Sequence, residues 1–578
     1  MPSRTTTART AVPALVSLLF VGAAVHAGVL HVKSSAPAGG DGLTWGTAMN
    51  DLQLALAAAT PRSGVTEIWV AEGNYVPSPT DATVSFVLRS GLALYGGFAG
   101  GETGVGQRDV EAHPTVLNGD IAGDDIVGSG STWYANWNIN TANSGHIVRA
   151  SGTDPTAILD GFVIENGATG PAGTPAGSEL MFGGGVYVLG GSPTIRHCTF
   201  RHCLAAFAAG GALYLWNSNA VVTDCRFIEN YGHLADGGAV YVGGASQPTI
   251  RDCSFETNVA VGEQPDVTGA GIAMWSTLPI EIRRCDFTGN VAKSFYAASP
   301  APTYGGGLFN FNQPVTVGEC RFIGNTARIG GGLASFGAST VVNCLFLDNK
   351  AVTEFGGQGA AAWLWGNTGV DSTLVNCTAY GNDGKEYAVH GAYIGKVHVR
   401  NSIVWGNTAT NPDVAGGYKV QVGGKFDAAY SCIDGIFEPS APGEDPIDPE
   451  NLPGCIDVNP QFTAATDLHL ADGSPCIDAG KNAALPIGVT VDLDGFARFI
   501  DDPAVANSGA GTPPIDMGCY EHGSTPPCSP ADFDCNGTVD AADLAVLLAG
   551  WGAAGQADLN QNGFVDAADL AILLASWG

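Results

Sequence analysis

A nine-residue unit, aliphatic-x-x-Cys-x-Phe-x-x-Asn, constrains this chain more than any other feature. It reads "IRHCTFRHC" from Ile195, "VTDCRFIEN" from Val222, "IRDCSFETN" from Ile250, "IRRCDFTGN" from Ile282, "VGECRFIGN" from Val317, "VVNCLFLDN" from Val341 and "LVNCTAYGN" from Leu374. Weaker copies flank these: "ILDGFVIEN" at Ile158 and "VRNSIVWGN" at Val399. The Cys position recurs at intervals of 24 to 37 residues. A fixed strand motif joined by loops of variable length is the signature of a solenoid.

Cys and Phe, two apart on a strand, point the same way, into the core. The two residues before Cys are mostly polar, as in Arg251-Asp252 and Arg283-Arg284. Two successive outward positions require a corner. A second strand recurs between the Cys units as "GGGVYV", "GGALYLW", "GGAVYV", "GAGIAMW", "GGGLFNF" and "GGGLASF". Gly supplies 82 residues, about twice the usual share. Short strands, corners and paired glycines describe a parallel β-helix, and nine coils at about 4.8 Å give a rod on the order of 40 Å before its caps.

The recurrent Asn230, Asn258, Asn290, Asn325, Asn349 and Asn382 follow a strand, where Asn tolerates the left-handed conformation. Stacked in successive coils, their amides can bond along the rod. This pattern resembles the asparagine ladder of right-handed β-helix proteins with the pectin-lyase-like fold, over roughly residues 145 to 435. Cys203 takes the Asn position in its coil and should interrupt the ladder there.

The cysteines fall into two sets. Cys198, Cys225, Cys253, Cys285, Cys320, Cys344 and Cys377 form the inward column. Their side chains run parallel, which strains a disulfide, so a buried thiol stack is expected. Cys432, Cys455, Cys476, Cys519, Cys528 and Cys535 lie in loop-rich sequence and should be oxidised in an exported protein. The favoured pairs are Cys476 with Cys519 and Cys528 with Cys535, with other connectivities open.

Export is read from the start of the chain. Arg4 and Arg9 precede an apolar stretch, Ala11 to Ala24, and Val25-His26-Ala27 offers small cleavage positions. That run is short for a membrane span, and no later segment approaches transmembrane length. Residues 1–27 are therefore expected to be a signal peptide and the mature protein secreted or held at the cell surface. Residues 28–144 read as an N-terminal cap with first coils, 145–435 as the repeats and 436–521 as a C-terminal cap. Residues 522–527 form a linker to a module at 528–578. A net charge of −31 argues against nucleic-acid partners.

Two chemistries are expected on the rod's outer faces. On the second strand, Tyr187, Tyr214, Tyr241, Phe309 and Trp363 share one outward position, and Trp216, Trp275, Phe311, Phe336 and Trp365 lie two residues further on. Two aromatic columns suit stacking against a polysaccharide or surface glycan; the alternative is that longer loops fold over and bury them. The resemblance also implies a lyase or glycoside hydrolase alternative. Lyases of this fold hold calcium with stacked Asp and use an Arg or Lys base, which points to Asp224, Asp252, Arg251 and Arg283. The competing reading is a surface ladder in which Asp252, Arg284 and Glu319 alternate in sign. His197 and His202 read as corner residues. A passive spacer is the third reading.

Near the C-terminus "DFDCNGTVDAAD" and "DLNQNGFVDAAD" place oxygen donors at calcium-loop positions 1, 3, 5, 7, 9 and 12 around a Gly at position 6. The first loop offers Asp532, Asp534, Asn536, the Thr538 carbonyl, Asp540 and Asp543. The second offers Asp558, Asn560, Asn562, the Phe564 carbonyl, Asp566 and Asp569. Two Ca²⁺ ions are thus expected. Each loop leads into a helix with an expected apolar face of Leu544, Leu547, Leu548 and Trp551, or Leu570, Leu573, Leu574 and Trp577. A duplicated calcium loop and helix, without the entering helix of an EF-hand, resembles a type I dockerin. That resemblance implies a cohesin-like or other surface receptor as partner. The pair before each last Asp is Ala541-Ala542 and Ala567-Ala568, lacking the family's usual hydroxyls.

Overall fold

The computed structural model describes residues 28–577 apart from 126–142, 171–177, 207–208, 235, 263–266, 295–301, 353–356, 367–368, 392–394, 410–420, 439–447, 524–530, 534–537, 553–556, 558 and 560–563. The expected signal peptide lies outside the described residues. So do Cys528, Cys535 and the loop ligands Asp534, Asn536, Asp558, Asn560 and Asn562.

The repeats wind into a parallel β-helix. One coil runs through Leu213–Trp216, Val221–Thr223, Arg226–Ile228 and Tyr231–His233, and the next begins at Val240–Gly244. Equivalent residues pair in register, as Tyr214 with Tyr241, Val222 with Ile250 and Phe227 with Phe255. Four parallel sheets result, of 13, 11, 12 and 8 strands. The longest exceeds the nine repeat units because three strands ahead of the repeats, Gly28–Val32, Val65–Ala71 and Ala93–Phe98, and one after them, Phe426–Ala429, also join it. A short helix, Leu52–Ala58, packs Leu52, Ala55 and Leu56 on the first coils, its N-terminus capped by Asp51.

Left-handed residues make the corners. The residue before each Cys has positive φ, including His197 at 49°, Asp224 at 54°, Asp252 at 56° and Arg284 at 47°. A second corner precedes the Asn position, at His202, Glu229, Thr257, Gly289, Gly324, Asp348 and Gly381. This corrects the sequence reading: the left-handed residue is the one before the Asn, not the Asn itself. The glycine pairs make a third corner. Gly237 has φ 71°, and a Cβ on Gly238 would lie 2.5 Å from the Ala270 carbonyl oxygen in the next coil.

Inside, identical side chains stack. Phe200, Phe227, Phe255, Phe287, Phe322 and Phe346 form a ring column with centroids 4.7 to 4.9 Å apart and planes within 8°. Each ladder Asn donates from Nδ2 to Oδ1 of the next, at 3.0, 2.9, 2.9, 3.0 and 2.9 Å from Asn230 to Asn382. The same Nδ2 donates to the Phe carbonyl of the preceding coil, as Asn290 does to Phe255 at 2.8 Å. Asn407 and Gln421 extend the ladder at 2.8 and 2.7 Å. At the other end Cys203 offers only its backbone N–H to Asn230 Oδ1. The inward Cys residues are buried free thiols.

The C-terminal region departs from expectation in two respects. Its first part covers the last coil through Leu452 and the pairing of Cys432 with Ile456. The rest runs back along the flank, where Asn343, Asn376 and Asn401 at the pre-Cys corner bond to the backbone of Val491, Asp516 and Lys481. The expected Cys476–Cys519 bond is also absent, since both are free. Cys476 packs with Cys432 in one apolar cluster and Cys519 with Leu345 and Leu347 in another. Cys432 and Cys455 are likewise free.

Candidate functional site

The second strand of each coil carries the aromatic positions, and backbone register aligns them. Tyr187, Tyr214, Tyr241, Ala273, Phe309, Ala334, Trp363 and His390 are successive rungs of one column. Trp216, Gly243 and Trp275 are rungs of the other. The first column is covered: Tyr187, Tyr214, Phe309 and Trp363 are at most 5% exposed, and Tyr241 is half-buried. The cover is the residue just before each glycine pair. Phe182 and Ala209 pack on Tyr187 and Tyr214, while Tyr304 and Ile329 pack on Phe309 and Trp363. These covering residues bridge from coil to coil themselves. Their burial removes Tyr187, Tyr214, Phe309 and Trp363 from direct contact with a ligand.

The second column stays half-open. Trp216, Trp275, Phe311, Phe336 and Trp365 are each partly buried against the first. Trp275 lies 4.3 Å from Phe311, which lies 5.8 Å from Phe336, which lies 6.2 Å from Trp365. Gly243 is needed beneath this row, because a Cβ there would lie 2.7 Å from the Trp216 ring.

Where the first column ends, a cavity of about 300 Å³ opens between Gln358, Glu386, Tyr387, His390 and Lys425. Gln358 Nε2 donates to Glu386 Oε2 at 2.8 Å, and the His390 and Tyr387 rings stack at 5.2 Å. Burial lowers the His390 pKa to about 4, so the imidazole is neutral at neutral pH. Sequence reading missed this group because its members belong to no motif; His390 was findable as the next rung after Trp363.

The adjoining face carries the residues singled out for catalysis. Arg251 and Arg283 line a groove of about 350 Å³ with Gln247, Thr249, Glu281 and Thr316. Asp252 accepts from Arg284 Nε at 2.5 Å and Nη2 at 3.0 Å, and Glu319 accepts from Arg283 at 2.9 Å. The hydrogen bond to Asp252 is the main reason the Arg284 pKa is raised. Asp252, Arg284 and Glu319 therefore form a ladder of alternating sign, and Asp224 stands exposed at the preceding corner. His197 and His202 occupy corners, paired with Asp160 and Glu229.

In the C-terminal segment, helices Ala541–Ala549 and Ala567–Ala575 start alike. Asp540 and Asp543 form a capping box on the first, and Asp566 and Asp569 form one on the second. Asp543 also accepts the Phe533 N–H at 2.6 Å. Asp532, Asp543 and Asp569 are almost fully buried, and no Lys or Arg follows Arg498 in the chain. Buried carboxylates in a segment without cationic side chains fit a bound cation. Thr538, Asp540, Phe564 and Asp566 complete the described loop positions. The expected apolar faces divide. Leu547 and Leu573 are buried and Leu544 and Leu570 half-buried, but Leu548, Trp551, Leu574 and Trp577 are 45 to 52% exposed. Among the described residues of the segment, the small core gathers Ala531, Val539, Leu547, Ala557, Val565 and Leu573.

Among known proteins, a family model described as the right handed beta helix region matches residues 126–301 and 185–379. No curated protein sequence matches. Of solved structures, the crystal structure of pectate lyase Pel9A matches at 14% identity and a TM-score of 0.37, covering 85% of this chain and 96% of that one.

Proposed function

We propose that this right-handed β-helix is an exported rod that holds a polysaccharide or surface glycan along its half-open aromatic column, and that its C-terminal module tethers it. The observation that carries this reading is the row of Trp216, Trp275, Phe311, Phe336 and Trp365, spread along several coils and partly exposed. Flat apolar rings aligned with the rod suit the faces of successive sugars in a long, repetitive chain. The exposed Leu548 with Trp551 and Leu574 with Trp577, matched at the C-terminal ends of two like helices, support docking of the tail to a cohesin-like or other surface receptor. Calcium in the two loops supplies the charge that lets their acids pack together.

The test is retention of the full chain on a panel of insoluble glycans. Trp216→Ala with Trp275→Ala should abolish retention while leaving the protein folded; retention unchanged on every glycan the wild type holds ends the platform reading. The groove containing Arg251 and Arg283 favours a second reading, a lyase or hydrolase acting on an acidic polysaccharide. In that case unsaturated or new reducing ends form from acidic substrates and vanish in a folded Arg251→Ala variant. Absence of products across the panel returns the face to a purely structural ladder.

A further inference from the structure

Beyond Trp363 the covered column changes character, and the register shows how. The cover over it passes from Tyr304 to Ile329 and then to Gln358, a polar residue after an aromatic and an aliphatic one. The rung beneath passes from Trp363 to His390 and then to Gly423, which has no side chain. A Cβ on Gly423 would lie 2.3 Å from the Tyr387 ring, so this glycine gives that ring its place. Two polar residues and one missing side chain interrupt the apolar packing where the cavity of about 300 Å³ opens, lined by Gln358, Glu386, Tyr387, His390 and Lys425.

That lining suits a polar ligand. His390 is 5% exposed, yet its Nδ1 is buried with no hydrogen-bond partner. Such an atom is uncommon, and leaving it unbonded is costly. Gln358 Nε2 is engaged by Glu386 Oε2, which leaves Gln358 Oε1 and Glu386 Oε1 as acceptors. Lys425 is exposed and adds an ammonium donor, and neutral His390 can donate or accept. The charges of Glu386 and Lys425 cancel. Mixed donors and acceptors without net charge, beside an aromatic ring, match sugar hydroxyls better than an ion. The volume is at the small end of the range for ligand sites, about 300–1,000 Å³, and suits one ring-sized unit.

We infer that this cavity binds one uncharged pyranose unit, held by Gln358, Glu386, His390 and Lys425. The open aromatic column stops at Trp365, two positions after the Trp363 that pairs with His390, so the unit is the end of the glycan lying on that column. This assignment to a glycan end rests on the glycan reading; the sugar site itself does not.

The experiment is calorimetric titration of the full chain with free glucose, galactose, mannose and N-acetylglucosamine. At least one should bind at one equivalent, with a Kd on the order of 1 mM. Gln358→Ala with Glu386→Ala should weaken that binding about tenfold. Lys425→Ala, at an exposed position, should weaken it about threefold and keeps the site testable if the double variant folds poorly. Trp216→Ala with Trp275→Ala should bind the free sugar as wild type does, even where it no longer holds insoluble glycan, so the two readings fail separately. The free sugar should also release the wild-type chain from that glycan. Binding of none of the four sugars, or binding unchanged in both folded variants of the lining, overturns the site. A sugar that binds without releasing the glycan overturns its assignment to the glycan end.

Discussion

Tyr214 and Trp216 belong to one four-residue strand and point to the same side of it, yet one is core and the other is half-open. The strand does not make this difference; the residue before each glycine pair does. The left-handed first glycine that follows it, Gly183, Gly210, Gly305 or Gly330, turns the chain so that Phe182, Ala209, Tyr304 and Ile329 lie over the nearer column. Over the farther column they reach as far as Phe336, 5.3 Å from the Tyr304 ring, and leave that column half-open. Aromatic residues repeated at an outward position therefore report either a second core or a surface, and the loop decides which.

The largest contrast should come from cutting each column in turn. Phe309→Ala removes a ring that is 1% exposed and should cost about 3–5 kcal/mol of stability in denaturant unfolding, without changing glycan retention per folded molecule. Trp216→Ala should cost less stability and weaken retention by about tenfold, since about 1.4 kcal/mol of lost stacking accounts for that factor.

Acid should separate the columns next. The covered column has His146 stacked on Tyr187 at 4.7 Å near one end and His390 as a rung at the other. Burial lowers both pKa values to about 4, while the unfolded chain takes up the proton near 6.5. Stability should fall as pH drops from about 6.5 to about 4, because the unfolded state then binds more protons. Equilibrium unfolding across that range should show the slope, and His390→Phe should flatten it.

A smaller effect is expected at Gly243. Gly243→Ala pushes a methyl into the Trp216 ring and should lower retention with a stability loss of about 1 kcal/mol. The smallest belongs to the charged corner. Asp252→Ala breaks a pair in which Arg284 is 45% exposed, and should change stability by less than about 1 kcal/mol. A larger loss would mean that the ladder holds the coils together.

Interior positions were legible because stacking fixes them: a side chain repeated at coil spacing must be Phe on Phe, Cys on Cys and Asn on Asn. The corner before Cys was legible for the same reason. What covers the outside was not. The flank segment has no period, and its docking leaves one trace in the repeats. The corner residue is charged at Asp224, Asp252, Arg284 and Glu319 but becomes Asn343, Asn376 and Asn401 under the returning chain. Cys432 beside Cys476 depends on that same fold-back. Periodicity gave the apolar side of each tail helix without saying how much of it finds a partner. The cavity at His390 draws on separate coils and has no local signature.

The division between a covered core column and an open binding column is tested most directly by pairing unfolding and glycan retention on the same protein. Trp216→Ala with Trp275→Ala should lose retention and keep most of its stability, and Phe309→Ala should do the reverse. Retention that survives the double substitution, on glycans the wild type holds, would contradict the account.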